Sequence, residues 1–426
     1  PSLPCEGEVL SLNVVGAGLF VGIDWAAASH AVCVLDATGR RVAGFTVEHS
    51  AAGLVELVRR LARLGDPDVM PVAIERPDGR LVAALLEAGH PVVPVKPNAI
   101  KTWRDGEVLS GAKSDTGDAE VIAEYLRLRH HRLQLVTPYS AETKALRTVV
   151  RTRDDLVDMR VAATNQLSAL LEAHWPGAKA IFADVESPIA LEFLTRYPTA
   201  RHAQHLGAKR IAAFCAKHGY SGRRTGQQLL DRLRAAPAGT LDETLGEAVR
   251  DAVTALVTVL KALGAALKDL SRSVVTTLGE HPDGEIFTSL PRSGQINAAQ
   301  MLAEWGDARQ AYDGPDSIAA LAGTTPVTKQ SGKHRAVHFR WACNKRLRLA
   351  ITTFADNSRH DSPWAAKVYN DARARGHDHP HAVRILARAW IRVIWRCWID
   401  QRPYEPHRHG NAARLAQPEQ TKPSAA

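Results

Sequence analysis

The order of apolar segments between residues 19 and 95 constrains the fold of this chain more than any other feature. Apolar runs predict strands near residues 19–25, 30–36, 41–48, 70–75 and 91–95, with amphipathic helices at 54–64 and 81–87. The turn Asp36-Ala-Thr-Gly39 joins the second strand to the third, so the first three strands form an antiparallel meander. A meander followed by alternating helix and strand predicts an α/β domain built on one sheet.

Four carboxylates occupy conspicuous positions in this pattern. Asp24 lies near the end of the first strand and Glu75 ends the fourth, where a buried charge is costly unless it is paired or bound to a metal. Asp115 and Asp118 lie three residues apart at a helix start, so both project from its first turn. Strand-end exposure and an acidic helix start, with Ser114 or Asp115 as N-cap, explain each one separately. Together they form an oxygen-only set suited to Mg²⁺ or Mn²⁺.

The remainder of the chain is predicted to be mainly helical. Two long amphipathic helices at residues 141–175 and 241–278 are predicted to pair as an antiparallel coiled coil, with two shorter helices within 206–233. A last amphipathic helix spans residues 382–398, and Trp390, Trp395 and Trp398 are predicted to lie in its core. The residues from 401 onward carry little apolar content and are predicted to be disordered. At 426 residues the chain is too long for one core.

Positive charge is concentrated in one segment. The chain has 54 Lys and Arg against 45 Asp and Glu, a net charge of +9, which favours a polyanionic partner. No acidic residue occurs between Asp316 and Asp356, and Phe339 and Trp341 interrupt the basic residues there. A charge run is most often a solvated surface, but this composition favours a nucleic-acid backbone. The candidate contacts are Lys113, Lys329, Lys333, Arg335, Arg340, Lys345, Arg346 and Arg348.

Cysteine usage and hydropathy indicate an intracellular protein. The five cysteines have no paired spacing, which argues against a disulfide framework or a structural zinc site. The chain starts without a signal-peptide pattern, and its longest apolar run, 252–267, is interrupted by Lys261. We therefore expect a cytosolic location and no membrane partner. The segment His377–His381 has no second ligand cluster and is predicted to be a loop between helices.

Two segments resemble one known family. Asp24, Glu75 and the stretch Lys-Ser-Asp-Thr-Gly-Asp-Ala119 resemble the DEDD transposases of the insertion sequence 110 family, whose N-terminal domain is RuvC-like. The stretch from Ile318 through Gly-Thr-Thr-Pro to Ser-Gly332 resembles the segment that carries the family's nucleophilic serine, and Ser331 is the matching residue. From the residues alone, Ser331 is a turn or phosphate-contacting serine, because a hydroxyl needs an activating neighbour to attack.

The resemblance, which covers roughly residues 19 to 400, implies an α/β plus α fold. Its parts are an N-terminal extension at 1–18, a RuvC-like (ribonuclease-H-like) metal-binding domain at 19–138, a helical coiled-coil or dimerisation region at 139–283, a mostly helical C-terminal transposase domain at 284–400, and a disordered tail at 401–426. Within the fourth part, residues 286–306 resemble a helix-hairpin-helix with Arg292 where glycine is usual.

The resemblance also implies a mechanism. Ser331 would attack a DNA phosphodiester to form a phosphoserine linkage, assisted by Mg²⁺ or Mn²⁺ on the four carboxylates. Implied partners are donor and target duplex DNA, a guide RNA encoded by the element, and further copies of the chain in a dimer or tetramer, in the cytosol of a prokaryote. Two alternatives remain open, a RuvC-like two-metal nuclease in which water attacks, and a non-catalytic DNA-bridging protein.

Overall fold

A computed structural model of the chain describes residues 18–107, 114–332 and 334–409. The chain divides into two compact units. The first extends to Pro138 and includes Ala308–Asp313, and the second comprises Tyr139–Asp307 and the residues from Gly314 onward. None of the helices in these described stretches combines the length and the apolar composition needed to cross a bilayer.

The first unit is built on a five-stranded mixed sheet. Its strands are β1 (Leu19–Trp25), β2 (Ser29–Asp36), β3 (Arg41–Glu48), β4 (Val72–Ile74) and β5 (Val92–Pro94). They lie in the order β3-β2-β1-β4-β5, with an antiparallel meander β1–β2–β3 and parallel pairs β1–β4 and β4–β5. All five predicted strands are present, and the mixed α/β architecture is consistent with the predicted ribonuclease-H-like domain.

Helices cover both faces of this sheet. They are α1 (Ala51–Ala62), α2 (Arg80–Glu87), α3 (Pro97–Glu107) and α4 (Asp115–Arg129). Val21 and Ile23 pack into one core with residues of α1 and α2, whereas Phe20 packs into a second core with Ile122 and Leu126 of α4. This division follows from the alternation of side chains along a strand.

The start of α4 is fixed by a local cap. The Ser114 side chain accepts a hydrogen bond from the backbone N–H of Gly117 at 3.1 Å. Asp115 and Asp118 fall in the first turn, where the helix dipole favours negative charge. Ser114 is thus the N-cap, and the two aspartates lie at the helix start as predicted.

The second unit begins with two long helices that pack against each other. They are α5 (Ala141–His174) and α10 (Glu243–Glu280), close to the predicted bounds. Four shorter helices lie between them in the chain: α6 (Pro176–Ile181), α7 (Pro188–Arg196), α8 (Ala208–Lys217) and α9 (Gly226–Ala235). One apolar core joins these helices to the C-terminal part of α5, from Ala163 onward, and to the N-terminal part of α10, as far as Leu260. The pairing of the long helices as a coiled-coil arm stays a prediction.

The rest of the second unit combines helices with a two-stranded hairpin. The helices are α11 (Gly284–Thr288), α12 (Gln295–Trp305), α13 (Pro315–Leu321), α14 (Lys345–Ser358), α15 (Pro363–Ala374) and α16 (His379–Ile399), and the strands are β6 (Val327–Ser331) and β7 (His334–His338). Trp305 and Trp398 are fully buried and contact each other with ring centroids 5.9 Å apart. Arg292, between α11 and α12, has a φ of 56°, the left-handed conformation that favours the glycine expected there.

Three details differ from the predictions. Trp395 is half-buried, unlike Trp390 and Trp398. The first part of the predicted disordered tail packs on the core, since Tyr404 is 8% exposed and its backbone N–H donates to Ser289 Oγ at 2.7 Å. His377 precedes α16, but residues 379–381 form the first turn of that helix. Residues 1–17 and 410–426, which hold most of the predicted extension and tail, lie outside the described residues.

Candidate functional sites

Asp24 and Glu75 are brought together by the parallel pairing of β1 with β4. The paired residues end at Ile23 and Ile74. The same register, continued by one residue, sets Asp24 beside Glu75, and neighbouring strands lie about 5 Å apart. The two carboxylates therefore lie side by side where both strands end.

The residues that follow the two carboxylates also touch. The Arg76 guanidinium lies over the Trp25 ring, 4.6 Å from its centroid. Trp25 pairs with His30 of β2, whose Nε2 lies 2.8 Å from Nδ1 of His49. Burial, and then the charge of His49, lower the pKa of His30, so its imidazole is neutral at pH 7. Trp25, His30 and His49 thus form an aromatic and imidazole cluster on the face of the sheet opposite Asp24.

Asp118 reaches the same face of the sheet because α4 lies directly on β1. Gly22 makes this approach possible, since a Cβ there would overlap the backbone oxygen of Ala119 and the backbone nitrogen of Ala123. Alternate side chains of a strand share a face, so Asp24 projects from the face that Gly22 presents to α4. Asp118 immediately precedes Ala119 and is half-buried.

Arg104 of α3 brings positive charge to these carboxylates. Its Nη1 donates to Oδ1 of Asp118 at 2.7 Å, and the two side chains are 23% and 15% exposed. This hydrogen bond and the charge of Asp118 raise the pKa of Arg104, and Asp105 and Glu75 raise it further. Arg104 thus offsets the repulsion between carboxylates that lie close together.

The predicted four-carboxylate metal cage is not assembled in this arrangement. Within the described stretches, no three His, Cys, Asp or Glu side chains are grouped so as to hold a metal ion. The physical reason is that Arg104 is hydrogen-bonded to Asp118, while Asp115 is exposed. Asp24, Glu75 and Asp118 would all supply oxygen donors, as Mg²⁺ and Mn²⁺ require. Metal binding by them stays a prediction.

Ser331 lies in the second unit, at the end of β6. It pairs with His334, the first residue of β7. Gly332, which follows Ser331, has a φ of 57°, a left-handed conformation that favours glycine. Lys333, a predicted nucleic-acid contact, lies outside the described residues. Ser331 is exposed.

The pairing of β6 with β7 decides which side chains share a face with Ser331. Residues directly opposite each other project from the same face, so Ser331 shares its face with His334 and, two positions earlier, with Lys329. Arg335 pairs with Gln330 and projects from the other face. An imidazole that can accept a hydroxyl proton and an ammonium that can contact a phosphate thus lie on the serine face.

A buried ion cluster anchors the chain just after the hairpin. Asn344, the N-cap of α14, donates through Nδ2 to Oε2 of Glu304 at 2.7 Å. Arg151 of α5 donates to both oxygens of Glu304, at 2.7 and 2.9 Å. Burial would raise the pKa of Glu304, which is 2% exposed, but the hydrogen bonds from Arg151 and Asn344 and the charge of Arg147 lower it. An ionised Glu304 therefore ties α5 and α12 to α14.

Three of the predicted nucleic-acid contacts are engaged within the protein. Arg346 pairs with Asp155 at 2.7 Å and with Asp154 at 3.8 Å. Arg348 donates to the backbone oxygen of Arg340, and the Arg340 side chain donates to a backbone oxygen at 3.1 Å. These contacts fix the segment after the hairpin, and nucleic-acid binding by these arginines stays a prediction.

The other predicted contacts divide into exposed residues and residues outside the described stretches. Lys329, Arg335 and Lys345 are exposed. Lys113, like Lys333, lies outside the residues that the structure describes. Phosphate contact by any of the five stays a prediction.

Two sets of cations were not predicted from the sequence. Arg104 was passed over because nothing local in the sequence marks its partner Asp118. Arg384, Arg388 and Arg392 of α16 recur every four residues, a spacing that is visible in the sequence. The tryptophans of that helix led instead to its interpretation as a core element.

Comparison with protein families identifies two matching segments. Residues 21–176 match a family model for DEDD transposases of IS110, described as "Transposase". Residues 284–370 match the model described as "Transposase IS116/IS110/IS902 family". The first segment contains all four candidate carboxylates, and the second contains Ser331.

Similar proteins extend over nearly the whole chain. A protein of Streptomyces coelicolor named as a transposase for the mini-circle IS117 is 32% identical over 400 residues, covering 92% of this chain and 96% of its own length. The uncharacterized 42 kDa protein of insertion element IS900 from Mycobacterium paratuberculosis is 27% identical and covers 91% of this chain and 97% of its own. The uncharacterized 44.8 kDa protein of IS116 from Streptomyces clavuligerus is 27% identical, with 91% and 96% covered.

Proposed function

The chain belongs to the IS110 family of transposases, and from that premise we propose that it cuts and rejoins DNA through a phosphoserine intermediate at Ser331. The observation that carries the proposal is the position of Ser331, exposed at the end of a hairpin with His334 directly opposite. A hydroxyl becomes a nucleophile when a neighbouring base accepts its proton.

The proposed reaction conserves the phosphodiester bond energy. Ser331 Oγ attacks the phosphorus, a new P–O bond forms, and the bond from phosphorus to the 3′ oxygen of the neighbouring nucleotide breaks. The serine proton passes to His334, and the departing 3′ oxygen leaves as a hydroxyl after taking up a proton. Attack by a 3′ hydroxyl on the phosphoserine reverses these steps and rejoins the strand, so no nucleotide cofactor is required. Lys329, on the serine face, would stabilise the phosphate charge.

We propose that Asp24, Glu75 and Asp118 would hold Mg²⁺ or Mn²⁺ once Arg104 leaves Asp118. When bound, such an ion supplies charge stabilisation for phosphate oxygens. The adjacency of Asp24 and Glu75 supports this assignment, as does the all-oxygen donor set. Asp115, at the exposed helix start, is the fourth proposed ligand.

The proposed partners are donor and target duplex DNA, a guide RNA encoded by the element, and further copies of the chain. The net charge of +9 and the exposed Lys329, Arg335 and Lys345 support a polyanionic partner of either kind. The site of action would be the cytosol of a prokaryote, where its DNA lies.

A metal nuclease is the second candidate, because the adjacency of Asp24 and Glu75 involves no contribution from Ser331. In a two-metal nuclease, water attacks and no covalent adduct forms. The two candidates therefore differ in the product they leave on the DNA.

One experiment separates them. A nicked duplex carrying the joined ends of the element is incubated with the protein, Mg²⁺ and RNA transcribed from the element, and resolved on a denaturing gel. We expect a protein–DNA adduct whose tryptic peptide contains Ser331 linked to a 5′-phosphorylated nucleotide. Ser331→Ala should form neither the adduct nor the cleaved strand. Thr328→Ala is the control, because it removes a hydroxyl from the other face of the same β-strand, and it should form both products. Cleavage by Ser331→Ala without an adduct would establish the nuclease.

A further inference from the structure

A cationic groove lies beside the base of the hairpin, on the face of α16. It has a volume of about 500 Å³, and its lining runs from Gly323 to Arg340 on one side and from His381 to Arg392 on the other. The described residues that line it include four arginines, two histidines and no acid. Such a groove attracts an anion.

Three of the arginines form a ladder along α16. Arg384, Arg388 and Arg392 follow one another at four-residue intervals, so successive guanidinium groups rise by about 6 Å along the helix. This repeat is close to the separation of neighbouring phosphates in one nucleic-acid strand. The ladder therefore presents about one cation for each nucleotide.

The ladder is only partly neutralised within the protein. Asp316 lies 3.1 Å from Arg388 and 3.6 Å from Arg392, and its own side chain is 65% exposed. Nε of Arg388 is buried and has no hydrogen-bond acceptor among the described residues. An unpaired N–H at this depth is costly and suits an incoming oxygen ligand.

The opposite wall adds aromatic surface. The Phe339 ring has the guanidinium of Arg348 at 4.5 Å and that of Arg384 at 5.0 Å from its centroid. Trp341 does not line the groove, but its ring centroid lies 4.8 Å from that of Phe339, and its side chain is 77% exposed. Basic grooves with exposed aromatic rings bind single strands, because the bases stack while the cations follow the backbone.

The size of the groove matches a short part of one strand. Cavities of 300 to 1,000 Å³ are roughly what small organic ligands fill. A groove of about 500 Å³ therefore has room for one or two nucleotides, and cations spaced at about one per nucleotide favour a single strand.

We propose that this groove holds the sugar–phosphate backbone of an unpaired strand next to the phosphodiester that Ser331 attacks. His338, at the far end of β7, lines the groove, and Ser331 lies opposite His334, four residues away along that strand. At ~3.4 Å per residue, the four residue steps of β7 from His338 to His334 span roughly 14 Å between the groove and the position of Ser331. The claim that the bound nucleic-acid strand lies next to the reacting phosphodiester rests on the proposed function. The claim that the groove binds an unpaired strand does not.

The test is a salt titration of binding, carried out in Ser331→Ala so that cleavage plays no part. Short fluorescent single strands of DNA and of RNA are compared with the corresponding duplex. Arg384→Gln should flatten the log–log salt dependence of single-strand binding by about 0.7. Arg392→Gln should flatten it by less, because Asp316 lies 3.6 Å from Arg392. Both variants should leave the slope for the duplex unchanged. Whichever single strand binds more tightly, DNA or RNA, is the kind of nucleic acid that the groove holds.

Two controls keep the result specific. Arg396→Gln alters the next arginine along α16, which is 77% exposed and does not line the groove, and it should leave both slopes unchanged. Arg392→Lys keeps the charge and should keep the single-strand slope. Equal thermal midpoints for all variants establish that the fold is retained.

The possible outcomes separate this proposal from the proposed function. The groove proposal would be overturned if the variants left the salt dependence of single-strand binding unchanged for both DNA and RNA. It would also be overturned if they reduced this dependence equally for single strand and duplex. Either result would count against the groove even if the wild-type protein forms the Ser331 adduct. A flattened single-strand slope, together with no adduct in wild type, would support the groove and overturn the phosphoserine mechanism alone.

Discussion

The sheet edge of the first unit and the serine hairpin of the second are built on opposite principles. Asp24, Glu75 and Asp118 are placed by backbone pairing and by the close approach of α4 to β1 at Gly22. Ser331 is displayed on a two-stranded hairpin whose residues are exposed or half-buried. Isolated hairpins are marginally stable, so this one depends on its anchor and on what binds it. The packing of the sheet thus fixes the positions of the carboxylates. The position of the serine depends more on contacts that a bound substrate would add.

Because the sheet is tightly packed and the hairpin is exposed, adding a methyl group at a glycine of each should lower the free energy of unfolding by very different amounts. Gly22→Ala forces a Cβ against the backbone of Ala119 and Ala123, so we expect a loss of about 3 kcal/mol or more in the free energy of unfolding. Gly332→Ala meets nothing within 4 Å and costs only the strain of a φ of 57°, about 1 kcal/mol. Denaturant unfolding of both variants measures the difference. Equal losses would mean that α4 moves away from β1 easily and does not fix the carboxylates.

The anchor of the hairpin should be the next most sensitive point. Glu304→Gln removes a buried charge from Arg151 and Asn344, and we expect a loss of roughly 2 kcal/mol at neutral pH. Because the folded-state pKa of Glu304 lies below its ordinary value of 4.5, this contribution is complete above about pH 4.5 and is lost as the pH falls below it. Unfolding of wild type and variant should therefore converge towards acid pH. A difference that persists unchanged at pH 3 would show that the charge of Glu304 is not the cause.

A smaller effect is expected at the carboxylates themselves. Arg104→Gln removes the cation that competes for Asp118, so Mn²⁺ should bind about three- to tenfold more tightly, or ~1 kcal/mol. Electron paramagnetic resonance of free Mn²⁺ measures this without any DNA. Arg76→Gln, which alters the arginine over Trp25, is the matched control and should change the affinity less. Weaker Mn²⁺ binding in Arg104→Gln would assign Arg104 a supporting role in the site.

The smallest effect is predicted for an arginine that is already paired. Arg346 is held by Asp155 and Asp154, so Arg346→Ala should change the salt dependence of duplex DNA binding by much less than the ~0.9 expected for a phosphate contact. Lys345→Ala, its exposed neighbour, should give the full decrease if it contacts the backbone. A full decrease for Arg346→Ala would show that Arg346 leaves the aspartates to bind DNA.

The sequence predicted local features well and pairings between distant segments poorly. Strands β1 to β5 were recognisable because their apolar patterns are continuous, and Asp24 and Glu75 stood out at their ends. The register that sets the two carboxylates side by side could not be predicted, since no local signal links β1 to β4. The ion pair of Arg104 was missed for the same reason.

The hairpin illustrates a second limit. Ser331 was interpreted as a turn residue from its neighbour Gly332, and it lies immediately before that turn. The exposed strands on either side have few apolar residues, so they carry no alternation that would predict β6 and β7. Consequently, the position of His334 on the serine face was not predicted.

The tight contact at Gly22 has a consequence for how copies of such a gene decay. Every other amino acid has a Cβ, so any missense change at this codon pushes on the backbone of α4. A copy that has lost Gly22 would keep each carboxylate and Ser331, and a motif search would count it as intact. Its product would nevertheless be misassembled at the sheet edge. A census of live elements in a genome therefore has to inspect this buried glycine as well as the residues that do the chemistry.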